Sequence, residues 1–348
     1  MITISADALA HAVKIASRVG DRVWLTTREG SLTVRSVAPG FEVSISVPCE
    51  SGQQPPMLLE AKALHRAASK LEGSLTLSQD KSRVVVRSGK RRTEIDCYEY
   101  DDPQLLSVPD HSRTVDVSAL RTAIERTESA ASKDVTRAYL CCVRLILENG
   151  VSAVATDGRR LHLCGSAREE GASALSLPAP LAAVLDDLLP KSGSVSIRAD
   201  AHVVRVEGEG WHAAHAAVAG VFPSYARVIP SGRSREAYVS REALASELSV
   251  LLALGARRAL LELGELLRVT TSDPPSECAV EARMQGESPG AVALDLRYLC
   301  DAVGAMRDDE IVLALSGGVL DPVVVEDRAG MAVVMPVREM NARVQAAR

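Results

Sequence analysis

Apolar side chains recur at helical spacing in six places along the chain, over 6–17, 60–71, 117–131, 178–189, 240–252 and 295–306, and the stretches between them alternate apolar with polar residues. The first pattern lines one side of a 3.6-residue period and predicts amphipathic helices. The second lines one face of a pleated ribbon and predicts strands. A short strand-like run precedes each helix: Ile2-Thr-Ile4, Met57-Leu-Leu59, Val115-Asp-Val117, Leu175-Ser-Leu177, Ala237-Tyr-Val239 and Val292-Ala-Leu294. Further strands follow each one. With one helix opening about every sixth of the chain, the period is that of a repeated supersecondary unit.

A unit of strand, helix and three strands carries one apolar sheet face, so two units must pair to enclose a core. Six units then make three domains of α+β class. Polar, Pro-bearing stretches at Pro109-Asp-His-Ser-Arg-Thr114 and Pro230-Ser-Gly-Arg-Ser-Arg-Glu236 supply the boundaries. The expected division is 1–113, 114–234 and 235–338, with a C-terminal tail over 339–348.

Two turns stand out. Asp157-Gly158 sits between the alternating runs 151–156 and 161–164, the strongest short-range signal for a tight hairpin turn, and leaves Arg159-Arg160 as a solvated pair beside it. Ser88-Gly-Lys-Arg-Arg-Thr93 joins the runs 83–87 and 93–97, and its successive cations suit a solvated tip better than a phosphate site.

Composition narrows the function classes. The 348 residues are 47% hydrophobic but only 3% aromatic, so Val, Leu, Ile and Ala must build the cores and stacking of bases on aromatic platforms is disfavoured. A formal net charge of −5 argues against gripping nucleic acid by bulk positive charge, while leaving room for a local basic surface. No apolar run approaches a membrane span and the N-terminus lacks a signal-like core, so a cytoplasmic protein is expected. The seven cysteines, odd in number and without Cys-x-x-Cys spacing, read as buried free thiols.

Catalytic signatures are missing: there is no phosphate loop, no His-Glu-x-x-His, no Gly-x-Ser-x-Gly elbow and no calcium loop. His212 and His215 lie in a strand-like run where their spacing puts the rings on opposite faces, which disfavours a metal pair. Asp186-Asp187 and Asp308-Asp309-Glu310 read as helix-end or solvated carboxylates. The expectation is a non-catalytic protein with no metal and no cofactor.

Four stretches in order resemble one family. Ala155-Thr-Asp-Gly-Arg-Arg-Leu161 is similar to the Ala-Thr-Asp-Gly-His-Arg-Leu signature of the bacterial DNA polymerase III β subunit, the replicative sliding clamp. Val221-Phe-Pro-Ser-Tyr-Ala-Arg-Val-Ile-Pro230 resembles that family's Phe-Pro-Asp-Tyr-x-Arg-Val-(Leu/Ile)-Pro segment, and Tyr298-Leu-Cys-Asp-Ala302 its Tyr-(Leu/Val)-x-Asp-(Ala/Val) helix. Leu320-Asp-Pro-Val-Val-Val-Glu326 and Val333-Val-Met-Pro-Val-Arg338 resemble its closing strands. The match is weaker in the first third, where the loop before 23–27 is shorter than the family's. Arg159 also stands where the family usually has His, and the chain runs on beyond Arg338.

The resemblance implies three tandem clamp domains with outer sheets and inner helices, two chains closing head to tail into a ring around duplex DNA. It also implies a groove for short peptides of the Gln-x-x-Leu-Phe kind, carried by DNA polymerase, clamp loader subunits and repair proteins. The groove residues by this match are Leu140, Thr156, Gly158, Arg159, Arg160, Leu161, Pro223, Arg227, Val228, Tyr298, Leu320, Pro322, Val333, Val334, Met335, Pro336, Val337 and Arg338. Their apolar members would take Leu and Phe anchors, and the Gly158 backbone and the arginines would fix polar groups. DNA contacts fall to the helix cations Lys14, Arg18, Lys62, Arg66, Lys70, Arg121, Arg126 and Arg297, and to Arg137 and Tyr139 in a loop; taken without the family, the same cations are ordinary solvated helix faces. Diffuse positive charge holds a duplex without reading sequence and permits sliding. The alternative is a clamp-fold interaction scaffold, or a specialised repair or inhibitor-resistant paralogue that is not the main replicative clamp. An enzyme using Cys or His nucleophilically is a third reading.

Overall fold

A computed structural model describes residues 1–51, 54–148, 150–165, 174–230, 232–286, 290–316 and 320–337. It is α+β, and among these residues the repeat is regular. The helices are α1 (Ala6–Ala16), α2 (Ala61–Ala68), α3 (Val117–Thr127), α4 (Ala179–Leu188), α5 (Arg241–Ala253) and α6 (Leu296–Ala305). Each is entered from a short strand: Ile2–Ser5, Met57–Glu60, Ser112–Asp116, Ala174–Pro178, Arg235–Ser240 and Gly290–Asp295. At least three strands follow each helix.

The polar residue ending the entry strand often starts the helix. Ser5 accepts from the Ala8 amide, Ser240 from Ala243, and Asp295 from both Arg297 and Tyr298, satisfying amides that have no partner inside the helix. Apolar positions then fall on one side: Leu9, Val13 and Ala16 of α1, and Leu296, Leu299 and Val303 of α6, are buried. At α3 the helix ends at Thr127, short of the expected residue 131, and passes into a 3-10 turn over Glu128–Ala130.

Contacts divide the chain into two compact units, one of residues 1–118 with 180–217, the other of 119–179 with 218–348. The first contains a twelve-stranded sheet, in which the entry strand Ile2–Ser5 pairs with Ser74–Asp80 and Ser112–Asp116 pairs with Ser194–Ala199. Its hairpin at 88–91 is tight: Ser88 and Arg91 are register partners, so Gly89-Lys90 forms the tip, with Gly89 at φ +55°.

The second unit contains a nine-stranded and a four-stranded sheet. Here too entry strands are exchanged between repeats. Ala174–Pro178 pairs with Cys142–Ile146, Arg235–Ser240 with Glu310–Leu315, and Gly290–Asp295 with Arg258–Leu263. Every first strand thus joins the sheet of a sister repeat, and a repeat cannot complete its own sheet alone. The nine-stranded sheet is continuous because Arg160–Cys164 pairs with Gly330–Val334. That junction brings the 157–160 turn beside α6.

Candidate functional site

The turn that organises the site is four residues long. Thr156 and Leu161 are the last register pair of the hairpin, so Asp157 to Arg160 form the loop, between the same two runs that the sequence marks as strands. Side chains take up the extra amides. Asp157 Oδ1 accepts from the backbone N–H of Arg159 at 2.8 Å and of Arg160 at 3.1 Å, while the Thr156 hydroxyl accepts from the Gly158 amide at 3.1 Å. Gly158 sits at φ +86°, a conformation that L residues with a Cβ rarely adopt.

The two arginines of the turn have opposite fates. Arg159 is exposed. Arg160 is not the solvated partner the sequence suggested: it is buried, and its guanidinium donates to Asp157 Oδ2 at 3.1 Å, to Asp301 of α6 at 2.5 Å and to the Ser129 carbonyl. Its guanidinium carbon also lies 4.4 Å from the centre of the Tyr298 ring. Four residues from three elements therefore meet on one planar cation, a geometry that a lysine cannot reproduce. Burial, followed by the Asp157 charge, raises the Tyr298 phenol above its ordinary pKa.

Around this hub lies a cleft of ≈530 Å³ bordered by the 128–137 segment, the 157–160 turn and the first turns of α6. Its charges are mostly engaged. Arg137 donates to Asp134 at 3.1 Å and to the Asp157 carbonyl at 3.0 Å. Asp134 is held below the ordinary carboxylate range by hydrogen bonds from Thr136, then from Arg137. Asp295 caps α6.

The groove residues expected from the sequence fall into three groups. Leu161 and Val333 are register partners, buried in one apolar cluster with Cys142, Val154, Phe222 and Tyr225. Leu140 and Thr156 are also buried. Val334 belongs to a different cluster, with the α6 residues Leu296, Leu299 and Val303, because adjacent strand residues face opposite ways. It therefore does not line the face that Val333 lines. Gly158, Arg159, Pro223, Arg227, Val228, Leu320 and Met335 are exposed, and Tyr298, Pro322, Pro336 and Val337 are half-buried. Met335 is fixed to the turn by its amide, which donates to the Arg159 carbonyl at 2.9 Å. Arg338 and the 339–348 tail lie outside the described residues.

Among the expected DNA-facing cations, Lys14, Arg18, Lys62, Arg66, Lys70 and Arg297 are exposed, with Tyr139 at the edge of exposure. Arg121 and Arg137 are half-buried. Arg18 is engaged by Asp187 at 2.6 Å, and Lys62 stands 3.8 Å from Asp21. Arg126 departs from expectation: its side chain is 2% exposed and paired with Asp327, so it cannot meet a phosphate. Asp301, Lys133 and Asp134 border the cleft and were not among the expected site residues. Only Asp301 had a signal, since three residues after Tyr298 it shares a helix face with it.

Among the described residues no group of three or more His, Cys, Asp or Glu is placed to hold a metal ion, and no helix is long and apolar enough to cross a membrane. His212 and His215 diverge, His212 lying 3.5 Å from Glu42 and His215 against the Phe41 ring. Burial pushes the Cys142 and Cys300 thiols up to about 11, away from nucleophilic thiolates.

Residues 114–224 match the family described as DNA polymerase III beta subunit, central domain. A protein named Beta sliding clamp from Pseudomonas putida is 27% identical over 291 residues, covering 79% of this chain and 78% of that one. Another of the same name from Caulobacter vibrioides is 26% identical over 351 residues, covering 93% and 91%. The crystal structure of a DNA polymerase III beta subunit from Thermotoga maritima superposes with a TM-score of 0.85 at 20% identity, over 97% of this chain and 100% of that one.

Proposed function

We propose that this chain, which belongs to the bacterial β sliding clamp family, works as a DNA sliding clamp, a non-catalytic ring that keeps a polymerase and other replication or repair proteins on duplex DNA. The observation that carries the reading is the end-to-end correspondence with a Beta sliding clamp, over 93% of this chain and 91% of its relative. Six repeats that exchange first strands are the architecture such a ring needs, since paired repeats give three domains per chain, over 1–113, 114–234 and 235–338. Two chains meeting head to tail would then close after two copies.

In this reading the exposed cations Lys14, Arg66 and Lys70, with Arg121, Arg137 and Tyr139, face the phosphates. Held on stiff helices and spread over several repeats, they attract a duplex without fixing its register. Partner peptides would bind at the 157–160 turn, where the exposed Val228, Leu320 and Met335 offer apolar contact beside Gly158, Pro223 and Tyr298. Arg160 would act on the peptide by holding the turn against α6 and not by direct contact.

Sedimentation over a wide concentration range tests the assembly. The reading expects a stable species of twice the 37.0 kDa chain mass. A persistent monomer would contradict ring closure and favour an interaction scaffold that kept the fold.

A further inference from the structure

Between the strands Arg91–Tyr98 and Ser112–Asp116 the chain runs without regular structure, and its stretch 101–106 forms one wall of a second cleft, of ≈550 Å³, in the first compact unit. Trp24 and the hairpin end 37–40 supply the rest of the lining. The wall is held at both ends. Trp24 Nε1 donates to the Asp101 carbonyl at 2.9 Å, and the Leu106 amide donates to the Glu42 carboxylate at 2.9 Å. Glu42 is itself only 1% exposed, with Arg205 3.6 Å and His212 3.5 Å away. A wall anchored in this way gives a cleft that is formed before any ligand arrives.

The lining is apolar at Trp24, Val37, Pro39 and the exposed Leu105, and its two charged members, Asp101 and Asp102, are both acidic and exposed. Asp102 also accepts from the Tyr100 hydroxyl. Glu99, exposed as well, adds a third carboxylate close by in the chain. Two cations stand near without lining the cleft. Arg22 lies 4.3 Å from the centre of the Tyr98 ring, and Arg35, half-buried and cross-strand from Trp24, acts on the Tyr100 phenol.

We infer that this cleft docks a segment of a partner protein in which a large apolar side chain stands next to arginine. The apolar residue takes the surface of Val37 and Leu105. Because the Trp24 N–H is already engaged, its ring offers only its faces, on which a guanidinium stacks while donating to the carboxylates. A nucleic acid would bring phosphates against acidic groups alone. A second copy of this chain offers the cationic tip Lys90-Arg91-Arg92, which has no large apolar neighbour in Ser88, Gly89 or Thr93. The inference does not depend on the peptide-groove reading; a partner using both sites would gain through the raised effective concentration of its second segment.

Fluorescein-labelled peptides on the full chain test this by anisotropy. One carries Leu-Arg-Arg between neutral residues, a second replaces both arginines with glutamine, and a third keeps them and replaces Leu with Ala. The inference expects the first to bind about fivefold more tightly than either of the others. The D101N/D102N variant should bring the first two peptides to near-equal affinity, and L105A should do so for the first and third. All three side chains are exposed, so thermal melting should be unchanged in both variants and would report any misfolding. An excess of unlabelled Leu-Phe peptide should leave the binding in place; displacement would put the arginine peptide in the 157–160 groove and overturn a second site. Equal binding of the first and third peptides would show attraction to net negative charge alone and overturns the inference, as does an affinity that neither variant changes. Absence of binding by all three overturns it too, and if D101N/D102N then shifts the sedimentation of the chain, the cleft joins copies of this protein instead.

Discussion

Arg126 and Asp327, 201 residues apart in the chain, form an ion pair with side chains only 2% and 1% exposed. Burial acts to raise the Asp327 pKa, but the hydrogen bond from Arg126 and the backbone amides of Arg307 and Ala329 outweigh it, so the carboxyl stays ionised below its ordinary range. The pair ties the end of α3 to the strand Val323–Asp327, next to the sheet junction that places the turn. Replacing Asp327 with Ala strands a buried guanidinium, at a cost of roughly 3–5 kcal/mol. Urea unfolding should show that loss. A change below about 1 kcal/mol would mean the pair is solvated in solution.

His162 makes stability depend on pH. It is fully buried, and burial, then the Arg160 charge, pushes its pKa down from 6.5 to about 4. The unfolded chain binds a proton that the folded one refuses between those values. Stability from this group is complete above pH 6.5 and drains away as pH falls toward 4, by on the order of 2–3 kcal/mol. Subtracting the unfolding free energies of His162→Gln from those of the parent chain across this range isolates the effect; identical pH slopes would contradict it.

The turn depends on its aspartate. Asp157→Ala removes the acceptor for two loop amides and one of the two carboxylates on Arg160, and should cost about 1–3 kcal/mol in stability. Its Kd for a Leu-Phe peptide should also rise, because the turn would lose its fixed distance from α6. Unchanged peptide affinity would separate the turn from the groove.

Much of this was legible in advance. The six helices appear within a few residues of their predicted positions because amphipathic spacing and capping side chains are local properties. Burial of the two arginines was not legible. Arg126 and Arg160 look like any surface cation until strands distant in sequence bring Asp327 and Asp301 against them, and sheet register carries no trace in a single stretch. The same blindness placed Val334 with Val333: the apolar run 333–334 does not say which residue faces α6.

Cys142 and Cys300, with thiols raised to about 11 by burial, should resist iodoacetamide at pH 8 in the native chain and react on denaturation. Mass spectrometry of tryptic peptides reads this directly. Rapid native labelling of either would reopen a nucleophilic role.

Encirclement is the central claim, and one experiment addresses it without any loading factor. The protein is threaded onto linear duplex DNA carrying biotin at both ends, streptavidin then blocks the ends, and the salt is raised until phosphate contacts are screened. A closed ring stays on the blocked DNA and runs off when one end is cut free. Loss at the same salt concentration from blocked and open DNA would show a protein that touches the duplex without surrounding it, and would contradict the account.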